Sequence, residues 1–146
     1  MYPRPPRHAR IVRYTAAAFA LALTAAACAA DEEPESGGRV FVIEPADGAT
    51  VTSPVTITVE MEGIEPGPAG ELVDGEGHMH VIVNADCLPI GQAIPGPDET
   101  YMHWGDGSVS KEVELPVGEH KLCIQAADGF HQAYDAIDVI TVRVIG

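Results

Sequence analysis

Val55-Thr56-Ile57-Thr58-Val59-Glu60-Met61 alternates apolar and polar side chains at every step. On an extended backbone successive side chains leave on opposite faces, so this stretch lays Val55, Ile57, Val59 and Met61 on one buried face of a strand. Its β-branched residues favour the extended conformation as well. Segments of the same kind lie on both sides. Val40-Phe41-Val42-Ile43 precedes it and is closed by Pro45-Ala46-Asp47-Gly48, a turn-forming sequence. Met79-His80-Val81-Ile82-Val83-Asn84 follows, and 108–115, 120–127 and 137–145 supply further strands. Val109, Val113 and Leu115, then Leu122 and Ile124, are the residues expected to point inward. The Gly- and Pro-rich connections at 63–77 and 88–107 read as loops, and no amphipathic helix follows the first thirty or so residues. Roughly six or seven short strands over residues 39–146 predict an all-β domain, a single antiparallel β-sandwich of immunoglobulin-like type.

Residues 1–27 read as an export signal. Arg4, Arg7, Arg10 and Arg13 make a positive start, and the apolar stretch at 14–27 is too short for a comfortable membrane span. Its end, Leu23-Thr24-Ala25-Ala26-Ala27-Cys28, resembles a bacterial lipoprotein signal, in which cleavage precedes the cysteine and Cys28 is lipidated. Ordinary cleavage after an Ala-x-Ala site is the other reading of these residues. Residues 28–38, with Asp31-Glu32-Glu33-Pro34-Glu35-Ser36-Gly37-Gly38, are expected to form an acidic flexible tether. Acylated Cys28 would hold the domain on a membrane, facing the periplasm or the cell surface, without any transmembrane helix.

The 146 residues carry a net charge of −14. Loss of the leader leaves only Arg39, Lys111, Lys121 and Arg143 against 22 acidic residues. Such a domain has no means of neutralising a phosphate backbone, which excludes non-specific nucleic-acid binding. Cys87 and Cys123 remain once Cys28 is set aside, and each follows an apolar, strand-like run. In an oxidising compartment they are expected to form a disulfide, which for a loop of this length contributes ~3 kcal/mol. A thiolate metal site or redox pair is the weaker reading, because neither cysteine belongs to a Cys-x-x-Cys pair.

Five of the six histidines, His78, His80, His103, His120 and His131, crowd the second half of the chain. Neutral imidazole is the side chain that most readily binds transition metals near neutral pH. The Gly-His-Met-His spacing puts His78 and His80 on one face of a strand. His103 lies in a glycine-rich stretch able to fold over that strand, and His131 in a turn after Asp128. The expected cluster is His78, His80, His103 and His131, with Asp128 as a ligand or as the orienter of one. His120, opening a strand after Pro-Val-Gly, is equally suited to a backbone hydrogen bond.

Zinc or copper fits such a set. Thioethers would favour Cu(I), but Met79 should face away from the histidines, whereas Met102 is freer to move. The competing reading is a structural or adhesive envelope module whose histidines only stabilise loops. A site requires at least three imidazole nitrogens converging within about 4 Å. A structural role requires dispersed rings, each with its own backbone partner. A third reading makes Tyr101 and Trp104 an exposed platform for a polymer or peptide. The chain is not expected to be an enzyme: Ser108 and Ser110 lack the Gly-x-Ser-x-Gly setting, and no phosphate-binding glycine loop precedes a helix.

Several motifs agree in order with one bacterial family. Gly75-Glu76-Gly77-His78-Met79-His80-Val81-Ile82-Val83-Asn84 resembles the Gly-His-His-His-hydrophobic segment of the family catalogued as domain of unknown function 4399. Pro45-Ala46-Asp47-Gly48-Ala49-Thr50-Val51 with Ser53-Pro54-Val55 is similar to its opening turn. Met102-His103-Trp104-Gly105-Asp106-Gly107 resembles its His-Phe-Gly-x-Gly loop. Leu115-Pro116-Val117-Gly118-Glu119-His120-Lys121-Leu122 and Ala127-Asp128-Gly129-Phe130-His131 resemble its Pro-Gly-x-His-Thr-Leu and Ala-Asp-x-x-His pieces. Two departures stand out: Met79 replaces the middle histidine, and Ser108-Val109-Ser110 replaces a Gln-Thr-Glu. The resemblance covers nearly all of 40–144 and supports the β-domain fold more than any function, since the family's own function is not established.

Overall fold

The computed structural model describes residues 38–146; the expected signal peptide, Cys28 and all of the tether except Gly38 lie outside the described residues. Nine strands follow in chain order: β1 Arg39–Glu44, β2 Ala49–Thr52, β3 Val55–Glu62, β4 Glu65–Pro66, β5 Glu76–Val83, β6 Tyr101–Trp104, β7 Ser110–Val113, β8 Gly118–Ala127 and β9 Ala133–Ile145. One sheet is three-stranded, in the order β1-β3-β7. The other is six-stranded, in the order β2-β9-β8-β5-β4, with β6 also paired to β5. Most pairs are antiparallel, while β2–β9 and β4–β5 are parallel. The described domain is thus all-β and sandwich-like.

The alternation in β3 does what its pattern requires. Val55, Ile57 and Val59 are buried, and they share one core with Val40 of β1, Met79 and Val81 of β5, Leu122 and Ile124 of β8, and Ile140 and Val142 of β9. In contrast, β5 is buried along nearly its whole length, because both of its faces are covered. Met79, Val81 and Val83 enter the core, so His78, His80 and Ile82 occupy the opposite face. The residues beside them on β8 are Ala127, Gln125 and Cys123.

That outer face is roofed by the connection between β5 and β6, which three residues of β8 secure. Cys123 is disulfide-bonded to Cys87, with their Cα atoms 5.6 Å apart. Gln125, fully buried, accepts from the Leu88 amide at 2.9 Å and donates to the carbonyls of Leu88 and Tyr134, both at 2.8 Å. Ala127 packs with Ile94, Ala133, Leu88 and Tyr101 in a small second apolar cluster. The disulfide suggests a compartment other than the cytoplasm, since such bonds persist in oxidising surroundings, and no helix among the described residues is long and apolar enough to cross a membrane.

Two expectations need correction. Residues 88–107 are not all loop, because they contain β6, and β2 and β4 are further strands. β6 has four residues between Pro/Gly-rich flanks, too few to display a period. Trp104 and Tyr101 also form no exposed platform. Trp104 pairs with Met79 across the strands and is only 3 % exposed in the core, while Tyr101 packs beneath the roof.

Candidate metal centre

Three elements build the site. β5 projects His78 and His80 from its outer face. β6 runs antiparallel beside it and sets His103 directly opposite His80. His103 is therefore held by a strand ladder rather than by a loop folding over. Its ring lies against Gly105, where a Cβ would come 2.2 Å from His103 Cε1 and 2.4 Å from Nε2. Only a residue without a side chain leaves the ring that room.

His131 arrives from the turn between β8 and β9. Asp128 constructs this turn: its Oδ1 accepts from the amides of Phe130 at 2.8 Å and Gln132 at 2.9 Å, and its carbonyl accepts from the His131 amide at 3.0 Å. Gly129 sits flush against the 69–71 segment, so that a Cβ there would fall 1.6 Å from the Glu71 carbonyl oxygen. His131 adopts a left-handed backbone, φ 69°, a conformation uncommon outside glycine. Asp128 is not one of the converging donors. Its charge does raise the affinity of His78 for protons, against larger opposing effects.

The four rings meet. His78 Nε2 lies 3.0 Å from His80 Nε2, and His103 Nε2 lies 3.2 Å from His131 Nε2. One ring nitrogen from each residue falls within 4.8 Å of the other three, and the four could hold a metal ion. That spread is wider than the expected limit, yet the two close pairs approach the ~3.3 Å separation of donors arranged tetrahedrally about 2.0–2.1 Å from one ion.

Burial sets the charge state. His78 and His80 are each 1 % exposed, whereas His103 and His131 are half-buried. Burial first, then the nearby His103 and His131, lowers the pKa of His78 to about 4. Burial followed by His78, His103 and His131 lowers that of His80 to about 3. His103 is also lowered, by burial and then by His131 and Lys111. These rings are accordingly neutral at pH 7, the form that offers a lone pair to a cation.

Nδ1 of both His78 and His80 is buried without a hydrogen-bond partner. Packing on the strand, rather than an outer ring of acceptors, therefore fixes their orientation. In the metal-free pair one Nε2 donates to the other, so the accepting ring carries its proton on an Nδ1 that finds no acceptor. Such a buried group costs about 1–3 kcal/mol, and an ion held on Nε2 would not relieve it, because each ligating ring then carries its proton on Nδ1.

His120 shows the contrast. It stands apart from the cluster, its Nε2 2.8 Å from the Pro116 carbonyl and its Nδ1 3.1 Å from Asn84 Nδ2. Neither methionine joins the donors: Met79 is core, and Met102, on β6, packs against the core. Gly105 and Gly129 support the site and show one signal in the sequence, their place two residues from His103 and His131, whereas Gln125 shows none.

Residues 55–145 match the family described as domain of unknown function (DUF4399). No curated protein and no solved structure matches the chain. The matched span runs from the start of β3 to the end of β9 and contains all four converging histidines and both disulfide cysteines. The chain belongs to the DUF4399 family.

Proposed function

We propose that this is an exported, lipid-anchored envelope protein that binds a transition-metal ion, zinc or copper, through His78, His80, His103 and His131. The observation that carries the reading is the convergence of four imidazoles from three separate elements, two of them fully buried. A histidine that merely stabilises a loop looks like His120, with a backbone carbonyl of its own. The donor set is all imidazole, since both cysteines are consumed in the disulfide and the methionines pack into the core. Such donors suit Zn(II) and Cu(II) better than Cu(I), which favours sulfur.

The proposed role is binding and not catalysis, and it needs no nucleic-acid partner. The membrane partner is the bilayer holding an acylated Cys28, a reading supported by the charged and apolar pattern of residues 1–27 and by the disulfide. Metal content measured by mass spectrometry on tag-free protein from supplemented medium tests the site. Near-stoichiometric zinc or copper, lost in His80→Ala, is expected. An empty parent that also shows no thermal shift with zinc, copper or nickel would overturn the proposal. Labelling with radioactive palmitate, abolished by Cys28→Ala, tests the anchor separately.

A further inference from the structure

A hollow of about 200 Å³ opens beside the histidine cluster. Three of the four rings, His80, His103 and His131, line it, and His78 does not. Its remaining walls are apolar or backbone, chiefly Ile94, Pro95 and Pro97 from the roof and Phe130 from the turn, with no carboxylate or ammonium among them. Phe130 is 57 % exposed although it borders a site built for close packing. An ion held by the four rings would be reached from this side, because the strand face behind His78 and His80 is sealed.

We propose that the hollow is a second binding site, which admits a compact neutral molecule with one lone-pair nitrogen donor and places that donor on the bound ion as a fifth ligand, the four imidazoles opening from the tetrahedral arrangement on the hollow's side. This rests on the metal reading above. Size limits the ligand first: at ~30 Å³ per water, the space equals about six or seven waters, enough for one small heteroaromatic ring. Charge selects next. An ion on four neutral imidazoles is formally +2 and draws an anion, but the apolar walls offer an anion no donors to replace its hydration, and the chain as a whole carries −14. A neutral nitrogen donor meets neither cost, while its apolar ring edges gain from contact with Ile94, Pro97 and Phe130.

The full chain loaded with cobalt(II), whose visible spectrum reports its ligands, provides the test. Imidazole and azide are titrated separately at pH 8, where the first is largely neutral and the second anionic. Imidazole is expected to shift the cobalt band saturably, with azide at least tenfold weaker. Ala93→Trp adds bulk from an exposed wall position and is expected to retain cobalt while weakening imidazole at least tenfold. Phe130→Ala, which removes the exposed ring from the hollow's lining, is expected to admit N-benzylimidazole, which the parent excludes. Cobalt bound with no response to imidazole overturns the inference while sparing the metal reading. So does azide binding as tightly as imidazole, or a spectral change traced to cobalt leaving the protein. Failure to take up cobalt, zinc or copper at all overturns both.

Discussion

Gly105→Ala tests the site without touching a ligand. The added methyl would stand 2.2 Å from His103 Cε1, 2.4 Å from Nε2 and 3.1 Å from Nδ1, where ordinary contact begins at 3.4 Å. The ring must therefore withdraw by about 1 Å or more, whereas coordination distances hold to about ±0.2 Å. His103 is then lost as a donor. Disturbing the support of a ligand typically lowers metal affinity ~10–100-fold, equivalent to about 1.4–2.8 kcal/mol. The fold should barely respond, because His103 is half-buried and its ring can swing toward solvent. Metal-free stability is expected to change by no more than about 0.5 kcal/mol. Competition against a chromogenic zinc chelator measures the first quantity, and urea unfolding of the metal-free protein measures the second. Parent-like affinity with unchanged stability would refute the packing argument. A loss of several kcal/mol in the metal-free protein would show instead that the clash falls on the backbone.

Three further outcomes follow from the same geometry. Zinc at one hundred times its dissociation constant should stabilise the domain by about 2.7 kcal/mol, a rise of roughly 10 °C in Tm that chelator reverses; an unmoved Tm counts against the site. Metal-free stability should fall with acid. The unfolded chain takes up protons on His78 and His80 near 6.5, whereas the folded rings resist until about 4 and about 3, so stability is full above pH 6.5 and declines toward pH 4 and below. At about 1.4 kcal/mol per unit the loss is of order a few kcal/mol, less than the simple sum because part of each shift comes from the other rings. Urea midpoints that stay level between pH 7.5 and 4 would contradict it. Gln125→Leu strands the amide and carbonyl of Leu88 and the carbonyl of Tyr134, at ~1–3 kcal/mol for each buried group. A loss of at least about 3 kcal/mol and faster proteolysis within 84–97 are expected, and a loss under ~1 kcal/mol would mean that the disulfide alone secures the roof.

The parts of this fold that were legible in the sequence are those in which one face is buried and the other wet. β3 declares itself through strict alternation, and the period of two turns Met79 away from His78 and His80 into the core, where the structure has it. β5 was legible as a strand, yet its outer face gave no sign of being covered, since a roof 84–97 residues into the chain is a tertiary fact. β6 was hidden by its brevity, and with it the reason why His103 stands beside His80. The four histidines could be grouped by chemistry, but their meeting depends on the ladder from β5 to β6 and on a turn shaped by Asp128 and Gly129. Gln125 was unreadable for the same reason: nothing in a strand-like run marks which polar residue will be buried.

The origin of the four histidines in distant segments has a consequence for when an ion can enter. In the unfolded chain only His78 and His80 are close, while His103 and His131 are separated from them by long stretches that must first be closed. A lone His-x-His holds metal weakly, so an ion taken up by the proposed site would not organise the chain; it would land on a sheet already assembled by slow, non-local strand pairing. If the proposed export carries the chain across a membrane unfolded, no cytoplasmic ion would travel with it. The identity of the proposed metal would then be decided by what the outer compartment supplies at the moment the domain is finished, and not by affinity rank among the ions of the cell interior.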